Sequence, residues 1–404
     1  MRSLKIWILI LLVAAFLLAA CQPAATEEPA AEEPTEEMQE PTEEPTEEPV
    51  EEATEEPMEE ATEEPMAEEE MAEEPMDAAA VCGEPEITDI ALGFGVDVAF
   101  APHIVAIQNG YFEEAGFSSV ETPTFTAGAL AGEALAAGEI QLWTPGNVPP
   151  ISMRHNGMPI VITGINTAAY IEKFTARADA GIEEPEDLYN VRIALLEGST
   201  ASAVLANIAN HYDLDVNQME VVNLPPPEQL TSLINNDVQV MVVWNPWTWN
   251  AQQEEGLEVV VLHDGTTSYF PWDEGTEWQS SYTLSVWAMS EDFIRNNPNA
   301  ACSIMFAMLR GQEYVANPDN REEVIQMVAD WNDQPVELVE ATFDDYDWDT
   351  TIDDEYVRDM QEYTTFLFDA GRIEEELDPL DYTYTGFLSQ YNPDYVVLEG
   401  NWQP

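Results

Sequence analysis

Hydrophobic positions in this chain switch between a strand period and a helix period, and the clearest switch falls within Val191–Tyr212. Val191, Ile193, Ala194, Leu195 and Leu196 form a short apolar run of the kind a buried parallel strand needs. Glu197 and Gly198 then turn the chain, and Ser199 and Thr200 stand where a helix N-cap would. Ala201, Val204, Leu205, Ile208, Ala209 and Tyr212 recur at three- and four-residue spacing, which puts them on one helix face. Such a unit aims free N–H groups and hydroxyls beyond the C-terminal end of its strand, where open α/β sheets hold ligands.

The same alternation continues on both sides. Before it, the pattern predicts strands over Ile87–Phe94, Val120–Phe125, Ile140–Trp143 and Pro159–Gly164, with helices over Ala101–Gln108 and Ala127–Ala137 and after Asn147. A second series starts near Tyr170 and continues through a strand at Met219–Leu224, a helix at Pro227–Asn235, a strand at Val238–Val243 and a helix after Pro246. It closes with Leu257–Leu262. Two βα series in succession predict an α/β protein of two hinged lobes, each with a mainly parallel sheet. Ser281–Met289 then reads as a strand returning to the first lobe. Helices follow at Glu291–Asn296, Asn299–Val315, Asn320–Trp331, Glu337–Phe343 and Asp354–Ala370. The expected organisation is lobe one at 81–165 and 276–404, carrying the extra C-terminal helices, and lobe two at 166–275.

The N-terminal eighty residues follow a different logic. Arg2 and Lys5 precede an apolar run from Ile6 to Leu18, too short to span a bilayer but of signal-peptide length. Leu18-Ala19-Ala20-Cys21 ends that run in the manner of a bacterial lipobox. We therefore expect a lipoprotein signal over 1–20, acylation of Cys21 and a lipid anchor to the membrane. Residues 21–80 form a Glu/Pro/Thr-rich tether with 25 acidic and no basic side chains, and Val50 as the one branched aliphatic. Such a stretch has no core to fold around. As a flexible chain it would hold the body on the order of 45 Å from the lipid.

Charge narrows the partners. The chain has 80 acidic residues against 11 lysines and arginines, a formal net charge of −69. Outside the tether and signal, 55 acidic residues face nine basic ones. That field repels nucleic acid and anionic membrane surfaces. Three cysteines occur. Beyond Cys21, Cys82 and Cys302 form either a disulfide or, for Cys302, a buried apolar position on its helix, and the exported compartment favours the bridge.

Catalytic and metal motifs do not emerge. His103, His155, His211 and His263 stand apart, with no HExxH, no CxxC, no P-loop and no Gly-x-Ser-x-Gly elbow. Asp345, Asp347, Asp349 and Asp353 fall at calcium-loop spacing, but Thr350 and Tyr356 occupy the glycine and bidentate glutamate positions, so a solvated acidic turn fits better. No metal site and no cofactor are expected.

Ala101-Pro102, Gly110-Tyr111-Phe112, Thr126-Ala127-Gly128, Gly138-Glu139-Ile140, Gly157-Met158-Pro159, Gly198-Ser199-Thr200 and Trp244-Asn245-Pro246 occur in one order across Ile87–Trp331. In these the chain resembles ABC-transporter substrate-binding proteins of the nitrate, sulfonate and taurine type, the SsuA/THI5-like group, whose fold also serves the pyrimidine precursor of thiamine. The resemblance implies a two-lobed periplasmic-binding-protein-like fold of type II and a non-catalytic role: an extracytoplasmic, monomeric lipoprotein that captures a small-molecule ligand between its lobes and delivers it to an ABC transporter permease. It implies ligand contacts from Phe94, Phe100, Thr126, Ala127, Gly128, Thr144, Gly146 and Asn147 in one lobe and Ser199, Thr200, Trp244 and Asn245 in the other. A pyrimidine-precursor binder, an enzyme on the same fold and a receptor-docking sensor are the alternatives.

One departure stands out. The nominated loops carry no arginine and the body one lysine, Lys173, whereas aromatics abound at Trp143, Trp244, Trp247, Trp249, Tyr269, Phe270, Trp272 and Trp278. At least half of these are expected to fill the core. Three or more facing the cleft would favour a planar or cationic ligand over a small oxyanion.

Overall fold

Strands gather into two sheets in the computed structural model, which describes residues 77–404. The expected signal segment, Cys21 and the tether up to residue 76 lie outside the described residues. The last positions assigned to the tether are helical, because the Asp77 side chain accepts from the Ala79 N–H and caps a helix over Ala78–Cys82, with Ala78 buried.

Strands β1 (Asp89–Gly93), β2 (Ser119–Glu121), β3 (Leu142–Trp143) and β4 (Ile160–Ala169) belong to the first sheet. The second sheet consists of β5 (Lys173–Arg177), β6 (Arg192–Leu195), β7 (Glu220–Asn223), β8 (Val240–Val243) and β9 (Val259–His263), in the order β7-β6-β8-β5-β9. The chain then returns as β10 (Thr283–Ser290) and β11 (Tyr346–Asp347), which complete the first sheet in the order β11-β4-β10-β3-β1-β2.

Both sheets are mixed, a correction to the mainly parallel ones expected. β1 runs parallel to β2 and β3, and β6 runs parallel to β7 and β8. The strands that carry the chain between the sheets break this order: β10 pairs antiparallel with β3 and β4, and β5 pairs antiparallel with β8 and β9. A strand arriving from the other half has no helical crossover within its own sheet, so nothing holds it parallel.

β4 extends past Gly164, its expected end, because the polar residues that seem to end it are satisfied inside the core. Asn166 is fully buried, donates to the Ala99 carbonyl at 2.7 Å and accepts from the Trp287 indole at 3.2 Å. Gly164 admits the Trp287 ring, which would lie 2.8 Å from a Cβ there. The crossing into the second half is thus only Tyr170–Glu172, while the return spans residues 264–282.

Alternation on β6 explains the opening apolar run. Ile193 and Leu195 enter one core with Val204, Leu205 and Ile208 of the helix Ala201–His211, whereas Ala194 and Leu196 enter a second core with Met241, Val243 and Trp244. Both faces of the sheet are covered, so the strand is apolar throughout.

In the first half the nineteen-residue helix Pro298–Ala316 packs across Ala101–Gln108. They meet at Gly311, where an added Cβ would lie 2.3 Å from the Pro102 carbonyl oxygen. The same long helix carries Cys302, disulfide-bonded to Cys82 with the Cα atoms 5.6 Å apart. Among the described residues no helix is long and apolar enough to cross a membrane.

The Gly311 contact yields a first prediction. Gly311→Ala should overpack the crossing by about 1–3 kcal/mol and lower Tm by several degrees in a thermal melt. An unchanged Tm would show that the two helices separate without loss.

Candidate functional site

Loops that leave β1, β3, β6 and β8 converge between the two sheets on a cavity of about 60 Å³. After β1 the chain turns through a short 3-10 helix, Val98–Phe100, capped by Asp97. Asp97 Oδ1 accepts the Ala99 N–H at 2.9 Å, and Oδ2 accepts the Trp244 indole N–H of the other half at 3.1 Å. After β3, Thr144 lines the cavity, with its hydroxyl 2.8 Å from His103 Nε2.

Small residues set the closeness of the walls. A Cβ on Gly128 would lie 2.4 Å from the Thr144 carbonyl oxygen, and one on Gly146 would lie 2.9 Å from the Thr200 hydroxyl across the seam. Thr200 occupies the N-cap position of Ala201–His211 but makes no side-chain cap bond. Its hydroxyl donates instead to Asn147 Oδ1 at 3.2 Å in the first half, and Asn147 Nδ2 donates to the Tyr282 carbonyl. Ser199 turns its hydroxyl onto the Leu196 carbonyl at 2.7 Å.

Of the residues nominated from sequence, Phe100, Gly128, Thr144, Gly146, Ser199, Thr200 and Trp244 line this one cavity. Five do not. Phe94 lies behind the wall, its ring 5.6 Å from Phe100 and 4.6 Å from His103. Ala127 is buried in the core that holds Trp244. Thr126 is half-buried and does not line the cavity, and a 3-10 turn over Gly128–Ala131 replaces the expected helix start, so that the regular helix begins only at Gly132. Asn147 is fully buried and ties the halves together, and Asn245 Oδ1 accepts the Trp249 N–H in the first turn of the next helix.

Sequence reasoning missed Asp97 and Glu172, both buried on the cavity, and the β10 residues Thr283 and Ser285. A signal existed for the acids. Asp97 is the only charged residue between Leu92 and Pro102, and Glu172 the only acid between Ile160 and Arg177. A lone carboxylate in an apolar run is expensive unless it has a task. The β10 hydroxyls carry no comparable mark, since β10 reads as an ordinary strand.

Electrostatically the site is acidic. No arginine, lysine or histidine lines it. Burial pushes the Asp97 carboxyl up to about 7 against the opposing Ala99 and Trp244 hydrogen bonds, and neighbouring Glu172 pushes it further the same way. Burial likewise raises Glu172 to about 7, opposed by the Thr283 hydroxyl, which donates to it, and by Lys173 nearby. Burial lowers His103 to about 3, so its imidazole is neutral.

Aromatics contribute less than their number suggests. Phe100 and Trp244 line the cavity. Trp143 is buried and fixes the Gly128 carbonyl at 2.7 Å, and Phe270, Trp272 and Trp278 pack around Tyr212 in the second half. No group of three His, Cys, Asp or Glu side chains suited to a metal occurs among the described residues. The acidic turn is spent on itself: Asp349 accepts from Thr351, and Asp353 caps the helix Asp354–Asp369.

A family model described as NMT1/THI5 like matches residues 97–321. The chain is 28% identical over 222 residues to the taurine-binding periplasmic protein of Escherichia coli (strain K12), covering 54% of this chain and 63% of that protein. It thus spans a little under two thirds of the length of the curated relatives it matches first. Among solved structures it is similar to the alkanesulfonate-binding protein SsuA from Xanthomonas axonopodis pv. citri bound to MOPS, with a TM-score of 0.61 at 17% identity, covering 75% of this chain and 99% of that one. It is also similar to the desulfurization enzyme DSZB, with a TM-score of 0.54 at 16% identity, covering 75% and 98%. At such identities the structural likeness establishes the fold.

The two buried carboxyls give a second prediction. Both sit above their ordinary values, so the ligand-free fold carries an ionisation cost that is absent below about pH 4, grows with pH and is complete above about pH 7. The upper limit is on the order of 3–4 kcal/mol per carboxyl. The Tm of Asp97→Asn/Glu172→Gln, compared with that of the unmodified protein, should therefore move in favour of the variant as pH rises from 4 to 8. A difference independent of pH would mean that the carboxyls are solvated.

Proposed function

The chain belongs to the NMT1/THI5-like family, and from that premise we propose that it is the solute-binding protein of an ABC import system, capturing a small solute outside the cytoplasm and handing it to the transporter. The observation that carries this reading is the cavity between two separately built halves, lined by loops from both and bridged by Asp97–Trp244 and Asn147–Thr200. A ligand held by both halves favours their closed arrangement, which is how a binding protein signals occupancy. The short crossing at Tyr170–Glu172 and the return over residues 264–282 supply the hinge, which moves the lobe boundary expected at 165/166 to the end of β4 at Ala169.

Size restricts the solute. The cavity measures about 60 Å³ and its walls are close-set. A solute of the taurine, small sulfonate or nitrate class fits this scale better than a pyrimidine, the second reading on this fold. The ligand contacts would come from Phe100, Gly128, Thr144, Gly146, Ser199, Thr200 and Trp244, with Asn147 positioning Thr200. The lipobox at Cys21 and the acidic tether would moor a monomeric body near its transporter.

A binding role is also favoured over catalysis. The hydroxyl–imidazole pair at the cavity, Thr144 with His103, has a base held near pKa 3, and His103 Nδ1 has no partner to orient it. Such a pair is a poor proton acceptor at neutral pH. The Cys82 and Cys302 sulfurs are bonded to each other, away from the cavity.

Calorimetry with taurine, ethanesulfonate, nitrate and hydroxymethyl-pyrimidine tests the reading. Binding of at least one of them without turnover is expected, with a smaller radius of gyration in X-ray scattering when ligand is bound. Trp244→Phe keeps an aromatic face but loses the pyrrole part of the indole, with the N–H that bridges to Asp97. It should weaken binding roughly tenfold, as loss of a hydrogen bond to a charged group does, with Tm changed by only a few degrees. Loss of affinity and stability in equal measure would assign Trp244 to the core.

A further inference from the structure

We infer that the solute is recognised through a positively charged amino group seated against the carboxyls of Asp97 and Glu172, with any acid group on the solute dispensable. The inference rests on the solute-binding reading above and names the ligand class within it: a compact amine, zwitterionic or simply cationic.

The argument begins with acceptors. A carboxylate offers about four lone-pair sites. Asp97 uses one on the Ala99 N–H and one on the Trp244 indole, and Glu172 is bonded by the Thr283 hydroxyl. The capacity left over belongs to two buried groups that line the same cavity, with no cationic side chain lining it beside them. Buried charge without a counterion is strongly disfavoured, and a protonated amine entering the cavity supplies that counterion with two or three N–H donors. A bare oxyanion would instead add negative charge to a small volume that already holds two carboxyls.

The rest of the wall agrees with a short amine. Phe100 and Trp244 offer aromatic surface to the methylenes beside an ammonium group or to the cation itself. Thr144, Ser199 and Thr200 bring hydroxyl oxygens from both halves, and those of Ser199 and Thr200, whose protons go to the Leu196 carbonyl and Asn147, are left to accept from an N–H or O–H of the solute.

Four two-carbon compounds separate the amine from the acid: ethanolamine, taurine, isethionate and ethanesulfonate, titrated into the full-length protein by calorimetry. Ethanolamine and taurine should bind, and isethionate and ethanesulfonate should bind at least a hundredfold more weakly. Asp97→Asn and Glu172→Gln should each lower amine affinity at least tenfold while the melting temperature at neutral pH holds or rises, a divergence that a merely structural role does not produce. Isethionate or ethanesulfonate binding as tightly as taurine, or amine affinity unchanged in both variants, would overturn the inference and leave the solute-binding reading standing. No heat from any of the four, in protein that still melts cooperatively, would overturn that reading and this inference together.

Discussion

The contact around which the seam between the two halves is organised is the hydrogen bond from the Trp244 indole to Asp97. It spans the two halves, and it engages a carboxyl that burial has already made costly to ionise. The indole and the Ala99 N–H together do not offset that cost, so the seam is held by a group whose needs are only partly met. The Glu172 carboxyl, bonded by the Thr283 hydroxyl, is in a similar position beside it. A fold tolerates such residual dissatisfaction where something else completes it. Both carboxyls line the cavity, and on the solute-binding reading proposed above the closing of the halves is coupled to what the cavity contains.

Around this seam the packing is rigid. Gly128 and Gly146 leave no room for a side chain between the loops, and Gly311 brings a helix carbonyl to contact distance behind the His103 wall. Asn166, buried in β4, holds the Ala99 carbonyl, so the turn that presents Asp97 is pinned from beneath by a strand. The halves are each stiff and the links between them few. That division suits rotation about a hinge better than gradual deformation.

How much of this was legible follows from periodicity. Element order from β1 through the C-terminal helices is readable because apolar positions repeat at two or at three to four residues, and Ala101–Gln108 and Glu291–Asn296 match their expected bounds. Strand direction is not readable in that way, since a strand returning from the other half has the same alternation as one reached by a helix. β4 hides its last five residues because buried Asn166 and Thr167 mimic a strand end, and only tertiary hydrogen bonds reveal otherwise. The cavity hydroxyls could be named because small and hydroxylated residues follow strands in a recurring pattern. Asp97 and Glu172 escaped because attention to that pattern passes over isolated acids, although their isolation was itself the clue.

The charge of the whole chain acts in the same direction as its seam. With 55 acidic and nine basic side chains, the region beyond the tether surrounds itself with negative potential, and anions approach it against that field while cations are concentrated near it. At physiological ionic strength the field is screened within about 8 Å, so its influence is felt mainly at the last approach. There, an arriving cation passes from a diffuse attraction to a local one without crossing a barrier of opposite sign. An arriving oxyanion meets repulsion twice, first at the surface and then in a cavity whose only ionisable walls are carboxyls. A relative that carries a sulfonate on this fold needs donors or positive charge at the corresponding loops. In this chain the cavity offers hydroxyls and two acids with no cationic side chain among its lining residues, and the amine reading proposed above rests on that difference, not on the shared fold.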